Sequence, residues 1–296
     1  MKLRRKILTA SLAATIIGLS ACGGGGDDEA TAPVEDSPEF EAGTTMAELA
    51  EQGSIVVGTK YDQPGFGLEN LEGELEGFDV EIAKIIAAAL GIAAEDIEYM
   101  ETPSAVREEV IEDGDVDLVA ATYTINEERA LRITFAGPYY QAGQQIMVLT
   151  DNDTITGPDS LMENPDAIVC SVTGSTPSQN IQEYLASPEQ LVLFEEYSLC
   201  ADALTNGQVQ AVTTDNVILA GFVSGSDGEF KLVGEQFTEE PYGIGIEKGD
   251  VAFCEFINET LAAAAESGAY EEAWETTAGM IEGAELPELP EPAPCA

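Results

Sequence analysis

Histidine is absent from this chain of 296 residues, and basic residues are scarce. Without histidine, Ser/His and Cys/His catalysis are excluded, and the most common general base and metal ligand is missing. The 11 lysines and arginines face 56 aspartates and glutamates, which gives a formal charge of −45. Nucleic acid and anionic lipid are poor partners for such a surface. We therefore expect no nucleic acid partner, no cofactor and no metal site. Because basic residues are so few, each one is a candidate for contact with an anionic ligand.

Residues 1–21 have the features of a bacterial export signal. Four basic residues at positions 2–6 precede an apolar run at 7–19, which is too short to span a membrane as a helix. The letters LSAC at 19–22 then match the lipoprotein box, in which the cysteine is lipidated; an ordinary signal peptide with a chance cysteine is the alternative. We predict lipidation of Cys22, which anchors the protein at the outer face of the cytoplasmic membrane.

The segment 22–43 contains glycine, proline and acids but almost no large apolar side chain. This composition cannot offset the entropy lost on ordering, so we predict a flexible linker after the lipidated cysteine and a folded body from Thr44. Removal of the signal takes four bases away, so that seven bases remain against 56 acids and the formal charge becomes −49. Salt screens this self-repulsion, since the Debye length falls to about 3 Å at 1 M. We therefore expect a saline habitat.

Strand and helix patterns alternate after Thr44. Continuous apolar runs predict buried strands, and apolar residues at i, i+3 and i+4 predict helices. The predicted strands are 54–59, 117–122, 167–172, 190–197, 211–215, 230–234 and 242–247, and the predicted helices are 82–90, 177–186, 199–206, 216–223 and 250–278. The alternation predicts an α/β fold of mainly parallel sheets flanked by helices, with ligands at the carboxyl ends of strands.

Several motifs along the chain resemble those of a known family. Three of them are GFDVEIAKIIAAAL at 77–90, ATYTINEER at 121–129 and VTTD at 212–215. In this order and spacing they resemble the extracellular solute-binding proteins, family 3, of polar amino acid ABC transporters. Three further motifs are DQPGFG at 62–67, TPSAVRE at 102–108 and FAGPYYQAGQ at 135–144. These resemble more narrowly the glutamate-binding lipoproteins of actinobacteria.

The resemblance implies a two-lobed, periplasmic-binding-protein-like fold of type II. It assigns 44–145 and 240–280 to lobe 1, 146–239 to lobe 2 and 281–296 to a C-terminal tail, with two hinge crossovers near 143–148 and 237–242. The implied function is a monomeric receptor that closes on a free amino acid and delivers it to the permease of an ABC importer. No bond is made or broken in this function, so no catalytic residue is expected.

A free amino acid presents a carboxylate and an ammonium group, so its receptor needs a planar cation, hydroxyl or amide donors, and one anion. The resemblance assigns the ligand's α-carboxylate to Arg129, Thr124, Thr122 and Thr176. It assigns the α-amino group to Asp215 together with Thr122. Structural alternatives exist: an exposed ion pair for Arg129, a capping box for Thr176 and an N-cap for Asp215.

The resemblance assigns the ligand's side chain to Arg107, Ser104 and Lys60. A neutral ligand such as glutamine requires only Arg129 and Asp215, and further cations in the cleft would be unpaired. We therefore predict an acidic amino acid, glutamate before aspartate. The alternatives are that the extra cations merely offset nearby acids, and that the ligand is a neutral polar amino acid such as glutamine.

Four cysteines remain once Cys22 is lipidated, and in an oxidising compartment they suggest two disulfides with three possible pairings. Cys170 and Cys200 both fall in the implied lobe 2, whereas Cys254 and Cys295 fall in the last helical region and the tail. We therefore predict the pairs Cys170–Cys200 and Cys254–Cys295.

Two other classes of protein stay open. Some enzymes share the implied fold, including cyclohexadienyl or arogenate dehydratases and lytic transglycosylases, and could reuse an amino acid cleft with a catalytic carboxylate. A sensory ligand-binding domain is the second possibility, although such domains usually adjoin a spanning helix. Turnover of a candidate substrate would distinguish the first of these from a binding protein.

Overall fold

The computed structural model describes residues 32–282 and 284–296. The predicted signal peptide and Cys22 lie outside these residues, so the lipid anchor stays a prediction. Within the described part of the chain, no helix is both long enough and apolar enough to cross a bilayer.

Helices and strands alternate along the described chain. The helices are α1 Thr45–Gln52, α2 Phe78–Ala89, α3 Arg107–Glu112, α4 Glu127–Ala130, α5 Asp159–Glu163, α6 Thr176–Asn180, α7 Tyr197–Thr205, α8 Asn216–Gly225, α9 Val251–Ser267 and α10 Ala269–Glu275. The strands are β1 Ile55–Thr59, β2 Asp62–Gln63, β3 Gly67–Glu69, β4 Leu75–Glu76, β5 Ile97–Glu101, β6 Leu118–Val119, β7 Thr134–Ala142, β8 Gln144–Leu149, β9 Val169–Val172, β10 Leu191–Phe194, β11 Ala211–Asp215, β12 Phe230–Val233 and β13 Glu240–Ile246.

Two five-stranded sheets form the centres of two lobes. The order is β5-β1-β6-β13-β7 in lobe 1 and β10-β9-β11-β8-β12 in lobe 2. The predicted α/β fold is confirmed: in each sheet four strands run in one direction, and a single strand, β8 or β13, pairs antiparallel with both neighbours. Each of these strands starts where the chain enters from the other lobe and therefore runs away from the cleft. The parallel strands run in the opposite direction and end at the cleft.

Two chain crossovers join the lobes. The first is Gly143, which alone separates β7 from β8. The second runs beside it, and the Gln144 N–H donates to Thr238 Oγ1 at 3.0 Å. A Cβ on Gly143 would lie 2.7 Å from the Thr238 carbonyl oxygen, so a larger residue would push the crossovers apart. Both fall within the predicted ranges 143–148 and 237–242, while the lobe boundaries themselves stay predictions.

Aromatic rings fill the centre of lobe 1 between α2, α10 and β7. The Phe78 ring meets Trp274 edge-on, with 5.2 Å between centroids, and Trp274 stacks on Tyr140 at 5.3 Å. Such pairs contribute about 0.5–1.5 kcal/mol each beyond the area they bury. Since Phe78 is the first residue of α2, this packing also holds the next residue, Asp79, in place beneath the cleft.

Segment 32–43 packs against lobe 1. The Phe40 ring lies edge-on to Phe256 of α9 at 5.5 Å between centroids, and the Glu35 N–H donates to the Ala88 carbonyl at 2.9 Å. The prediction of a flexible linker through residue 43 is therefore wrong for 32–43. The missed signal was Phe40, the one large aromatic ring in a stretch that is otherwise small or charged.

Both predicted disulfide pairings are confirmed. Cys170 of β9 bonds to Cys200 of α7 within lobe 2, and Cys254 of α9 bonds to Cys295 near the end of the chain. The second bond holds the segment 284–296 on lobe 1, where the Ala293 N–H also donates to the Gly137 carbonyl at 2.8 Å.

Candidate functional site

Arg129 of α4 lies between the lobes and is only 6% exposed. Its Nη1 donates to the Thr124 carbonyl at 2.7 Å, and its Nη2 donates to the Gly174 carbonyl of lobe 2 at 3.0 Å. Its Nε is 3.2 Å from a carboxylate oxygen of Glu108. Burial, followed by the charge of Arg107, lowers the pKa of Arg129 to about 10, so it stays charged at neutral pH. The alternative of an exposed ion pair is wrong.

Thr176 meets Thr124 across the lobes, with 3.2 Å between their hydroxyl oxygens. Its hydroxyl also donates to Glu240 Oε2 at 2.6 Å. The capping box expected at Thr176 is wrong, because the N-cap is Ser175, whose hydroxyl accepts from the Ser178 N–H at 3.1 Å. This one-residue shift frees the Thr176 hydroxyl from capping, so that it faces lobe 1.

Thr122 adopts a left-handed backbone conformation, with φ 44°, which is rare for a β-branched residue. Its N–H donates to Asp79 Oδ2 at 2.7 Å, and the Tyr139 hydroxyl donates to the other oxygen of this buried carboxylate. The Thr122 carbonyl oxygen is 3.4 Å from Arg107 Nη1. With its N–H already used, the Thr122 backbone can offer a ligand only a carbonyl, which suits an ammonium group better than a carboxylate.

Lys60 and Arg107 are buried cations, 4% and 2% exposed. Lys60 follows β1, and its Nζ donates to Ser104 Oγ at 3.0 Å. Arg107 donates to the Ala121 carbonyl at 2.7 Å and lies over the Tyr123 ring, 4.2 Å from its centre. Neither cation has a carboxylate oxygen within 4.0 Å in the described chain. Burial, followed by the charge of Arg107, lowers the pKa of Lys60 to about 7.

Asp215 ends β11 and stands at the N-cap position of α8, but its side chain caps no backbone N–H. The Tyr242 hydroxyl donates to its Oδ2 at 2.6 Å, while its buried Oδ1 has no hydrogen-bond partner among the described residues. Burial, followed by the charge of Glu240, raises the pKa of Asp215 to about 8. Because Asp215 does not cap α8, its Oδ1 can accept a hydrogen bond from an ammonium group.

Glu240, at the start of β13, was missed from the sequence. It is 1% exposed and accepts from Thr176, from Thr238 Oγ1 at 2.8 Å and from Asn180 Nδ2 at 3.0 Å. It thereby connects the second crossover to α6. In the sequence, Glu240 stands two residues before Tyr242 and therefore on the same buried face of the strand. Composition alone does not distinguish Glu240 from Glu239, the acid that precedes it.

Unsatisfied polar atoms are concentrated around these side chains. Arg107 Nε, Gln63 Nε2 and Thr59 Oγ1 are buried without a hydrogen-bond partner in the described chain, like Asp215 Oδ1. Gln63 is a second residue that the sequence analysis missed; its Oε1 accepts from Thr122 Oγ1 at 2.9 Å. Buried polar groups are normally paired, so such a cluster is typical of a binding site rather than of a packed core.

A cavity of about 140 Å³ opens beside Arg129. Its wall includes Ser104 and Arg129 from lobe 1 and Gly174 and Gln179 from lobe 2. A larger cavity of about 340 Å³ lies between α8 and α10, but no basic residue lines it. The smaller space is lined by Arg129 and Arg132 together with Glu108 and Glu128, so we identify it as an opening at the edge of the candidate site, beside Arg129.

The chain is similar to several known proteins. Residues 55–277 match the family model of bacterial extracellular solute-binding proteins, family 3. The glutamate-binding protein GluB of Corynebacterium efficiens is 39% identical over 86% of this chain and 85% of its own length. The glutamine-binding protein GlnH of Bacillus subtilis is 39% identical over 88% of this chain and 92% of its own.

A solved structure confirms the two-lobed fold. An ancestral arginine-binding protein bound to glutamine superposes with a TM-score of 0.70 at 34% identity, covering 76% of this chain and 97% of that protein. The family match spans most of the folded body and includes every side chain of the candidate site described above. The chain belongs to the bacterial extracellular solute-binding proteins, family 3.

Proposed function

We propose that this protein is an extracytoplasmic receptor for an acidic amino acid, glutamate before aspartate. The observation that carries the proposal is the pair Lys60 and Arg107, two buried cations without an ion pair in the described chain. An unpaired buried charge is strongly unfavourable, so a bound carboxylate would give both cations the partner they lack.

Each ligand group has a complementary set of residues. Arg129, Thr124 and Thr176 bind the α-carboxylate, with Thr176 approaching from lobe 2 and exchanging its hydrogen bond to Glu240 for one to the ligand. The free oxygen of Asp215 and the Thr122 carbonyl receive the α-ammonium group. Lys60, Arg107 and Ser104 bind the side-chain carboxylate. Because these residues come from both lobes, closure of the lobes completes the site, and we propose that the closed form delivers the amino acid to an ABC importer.

The names of the relatives support an amino acid ligand, but they differ in whether its side chain is a carboxylate or an amide. GluB is named for glutamate and GlnH for glutamine, and the ancestral protein was solved with glutamine bound. Glutamine is therefore the second candidate. It would satisfy Arg129 and Asp215 but would leave Lys60 and Arg107 without a counter-ion, which is why we favour glutamate.

We propose no reaction for this site, and the relatives named above are solute-binding proteins. The alternative of an enzyme with the same fold predicts turnover of an amino acid substrate. We also propose that Cys22 carries the lipid anchor and that the receptor is a monomer at the outer face of the cytoplasmic membrane.

A melting screen of the twenty amino acids, followed by calorimetry with glutamate, aspartate and glutamine, tests the proposal. Glutamate should give the largest shift in melting temperature. Lys60→Gln should weaken glutamate binding at least tenfold and glutamine binding far less, because a charge-assisted contact is lost. Arg107→Gln should do the same, and Lys248→Gln, at an exposed lysine of lobe 1, is the control. A wild type that prefers glutamine would contradict the proposal.

A further inference from the structure

The tight turn between β2 and β3 of lobe 1 reaches across to lobe 2. Asp62 Oδ2 accepts from two backbone N–H groups at the start of α7, Tyr197 at 2.7 Å and Ser198 at 3.3 Å. Helix α7 makes no cap of its own, because the side chain of its N-cap residue, Glu196, bonds to neither amide. A carboxylate of lobe 1 therefore caps a helix of lobe 2.

The same turn also contacts a second helix of lobe 2. A Cβ added to Gly221 of α8 would lie 2.5 Å from the Pro64 carbonyl oxygen, closer than real Cβ atoms approach. Helix α8 thus needs a glycine where this turn rests on it. By contrast, a Cβ added to Gly225, at the end of the same helix, would meet no atom within 4 Å.

The turn is connected to the candidate site. Gln63, between the two contact points, accepts from the Thr122 hydroxyl at 2.9 Å. Lys60 lies two residues before Asp62. The residues that hold lobe 2 are therefore on the same short segment as residues around the ligand, although Asp62 and Pro64 are not among the proposed ligand contacts.

We infer that the turn at residues 62–66 is a latch that holds lobe 2 closed and so sets the residence time of the ligand. This inference rests on the proposed function, in which the lobes close on an amino acid. The capping bonds and the contact at Gly221 both join the two lobes, so they form only on closure. Loss of either contact should speed ligand release and leave the rate of first encounter unchanged.

Stopped-flow binding of L-glutamate to the full chain tests the latch. Gly221→Ala should raise the dissociation rate about tenfold and change the association rate less than twofold, since alanine is favourable in the open helix but clashes on closure. Gly225→Ala, on the same helix, is the matched control and should leave both rates within twofold. Asp62→Ala should raise the dissociation rate by a similar factor because two capping bonds are lost.

Amide hydrogen exchange provides a second readout, which is measured with a saturating concentration of whichever amino acid gives the largest melting shift and so does not require that this ligand be glutamate. In Asp62→Ala the Tyr197 and Ser198 amides should exchange at least tenfold faster than in wild type, and in Asp115→Ala, at an exposed aspartate of lobe 1, they should not. If wild type does not bind glutamate, the proposed function fails, whereas the latch is still judged by this exchange. Unchanged exchange in Asp62→Ala, or equal dissociation rates for Gly221→Ala and Gly225→Ala, would overturn the inference.

Discussion

Lobe 1 brings Lys60, Arg107 and Arg129 to the cleft, whereas the predicted lobe 2, 146–239, has Lys231 as its one basic residue, paired on the surface with an aspartate. Lobe 2 instead brings hydroxyl groups, backbone carbonyls and Asp215. The positive charge in the site is therefore concentrated on one side, in a chain with five times as many acids as bases.

This difference implies a division of work. Under the proposed function, a ligand with two carboxylates and one ammonium group would be held first by lobe 1, whose cations would pair with both carboxylates. Lobe 2 would then add Thr176 to one carboxylate and Asp215 to the ammonium group, so its contacts would favour closure rather than capture. The four predictions below test whether capture and closure separate in this way.

The largest expected effect is at the lobe 1 cation Arg129. Arg129→Ala should weaken binding of every amino acid by about 2–5 kcal/mol, because the desolvated α-carboxylate and Glu108 both lose their charged partner. Isothermal titration calorimetry measures this loss. Arg132→Ala, at an exposed arginine three residues later that pairs with Glu112, is the control and should bind normally. Near-normal affinity in Arg129→Ala would remove the basis for assigning capture to lobe 1.

Asp215→Asn tests the contribution of lobe 2. The amide cannot balance the ligand's charge, so affinity should fall by about 1.5–3 kcal/mol for glutamate and glutamine alike. Calorimetry with both ligands checks the equality, and Asp202→Asn, at an exposed position of α7, is the matched control. A loss confined to glutamate would show that Asp215 acts on the side chain rather than on the ammonium group.

The preference for glutamate over glutamine should decrease as pH rises above about 7. The pKa of Lys60 is about 7 without ligand, and a bound carboxylate raises it, so glutamate binding takes up a proton above that pH. The ratio of affinities should therefore fall by up to tenfold per pH unit from pH 7 to 9 and stay constant below 7. Asp215, with a pKa of about 8, affects both ligands equally and cancels in the ratio.

Calorimetry at pH 6, 7, 8 and 9 in a single mixed buffer measures this ratio. Lys60→Met is the control, because a methionine cannot titrate and the pH dependence of the ratio should disappear. A wild-type ratio that does not change between pH 7 and 9 would show that Lys60 does not contact the side-chain carboxylate.

The smallest expected effect is that of salt on the association rate, which reports the charge of the whole molecule rather than the cations of lobe 1 in the site. With seven bases against 56 acids after the signal, long-range repulsion should slow the approach of anionic glutamate, and salt should relieve it. Between 50 mM and 1 M salt, the association rate of glutamate should rise about threefold and that of neutral glutamine should stay the same. Equal salt dependence for the two ligands would contradict this.

Much of the fold could be predicted from local pattern. Strand β11 has the predicted bounds 211–215, because a run of β-branched residues, Val212 to Thr214, ends at an aspartate in the N-cap position of α8. The long helix predicted at 250–278 is two helices, since Gly268 takes a left-handed conformation with φ 92° and ends α9. The one reversed strand in each sheet could not be predicted from periodicity, because its direction depends on where the chain crosses between lobes.

Residues of the candidate site could be predicted where a motif contains a charged residue suited to one group of the ligand. The motifs pointed to Arg129, Asp215 and Lys60, and all three are buried. The sequence did not reveal the roles of Glu240 and Asp62, which depend on contacts between segments more than 60 residues apart. Because the chain has 56 acids, composition does not distinguish Glu240 and Asp62 from the many acids at the surface. Only the tertiary structure does so.

The segments 32–43 and 284–296 both lie on lobe 1, one through Phe40 and the other through the Cys254–Cys295 bond. The chain thus begins and ends on lobe 1, and it enters lobe 2 at one crossover and returns at the other. If Cys22 carries the proposed lipid anchor, a pull on residue 32 would act on lobe 1 and not on lobe 2. Lobe 2 could then swing without dragging the tether, so that anchoring and ligand capture do not compete.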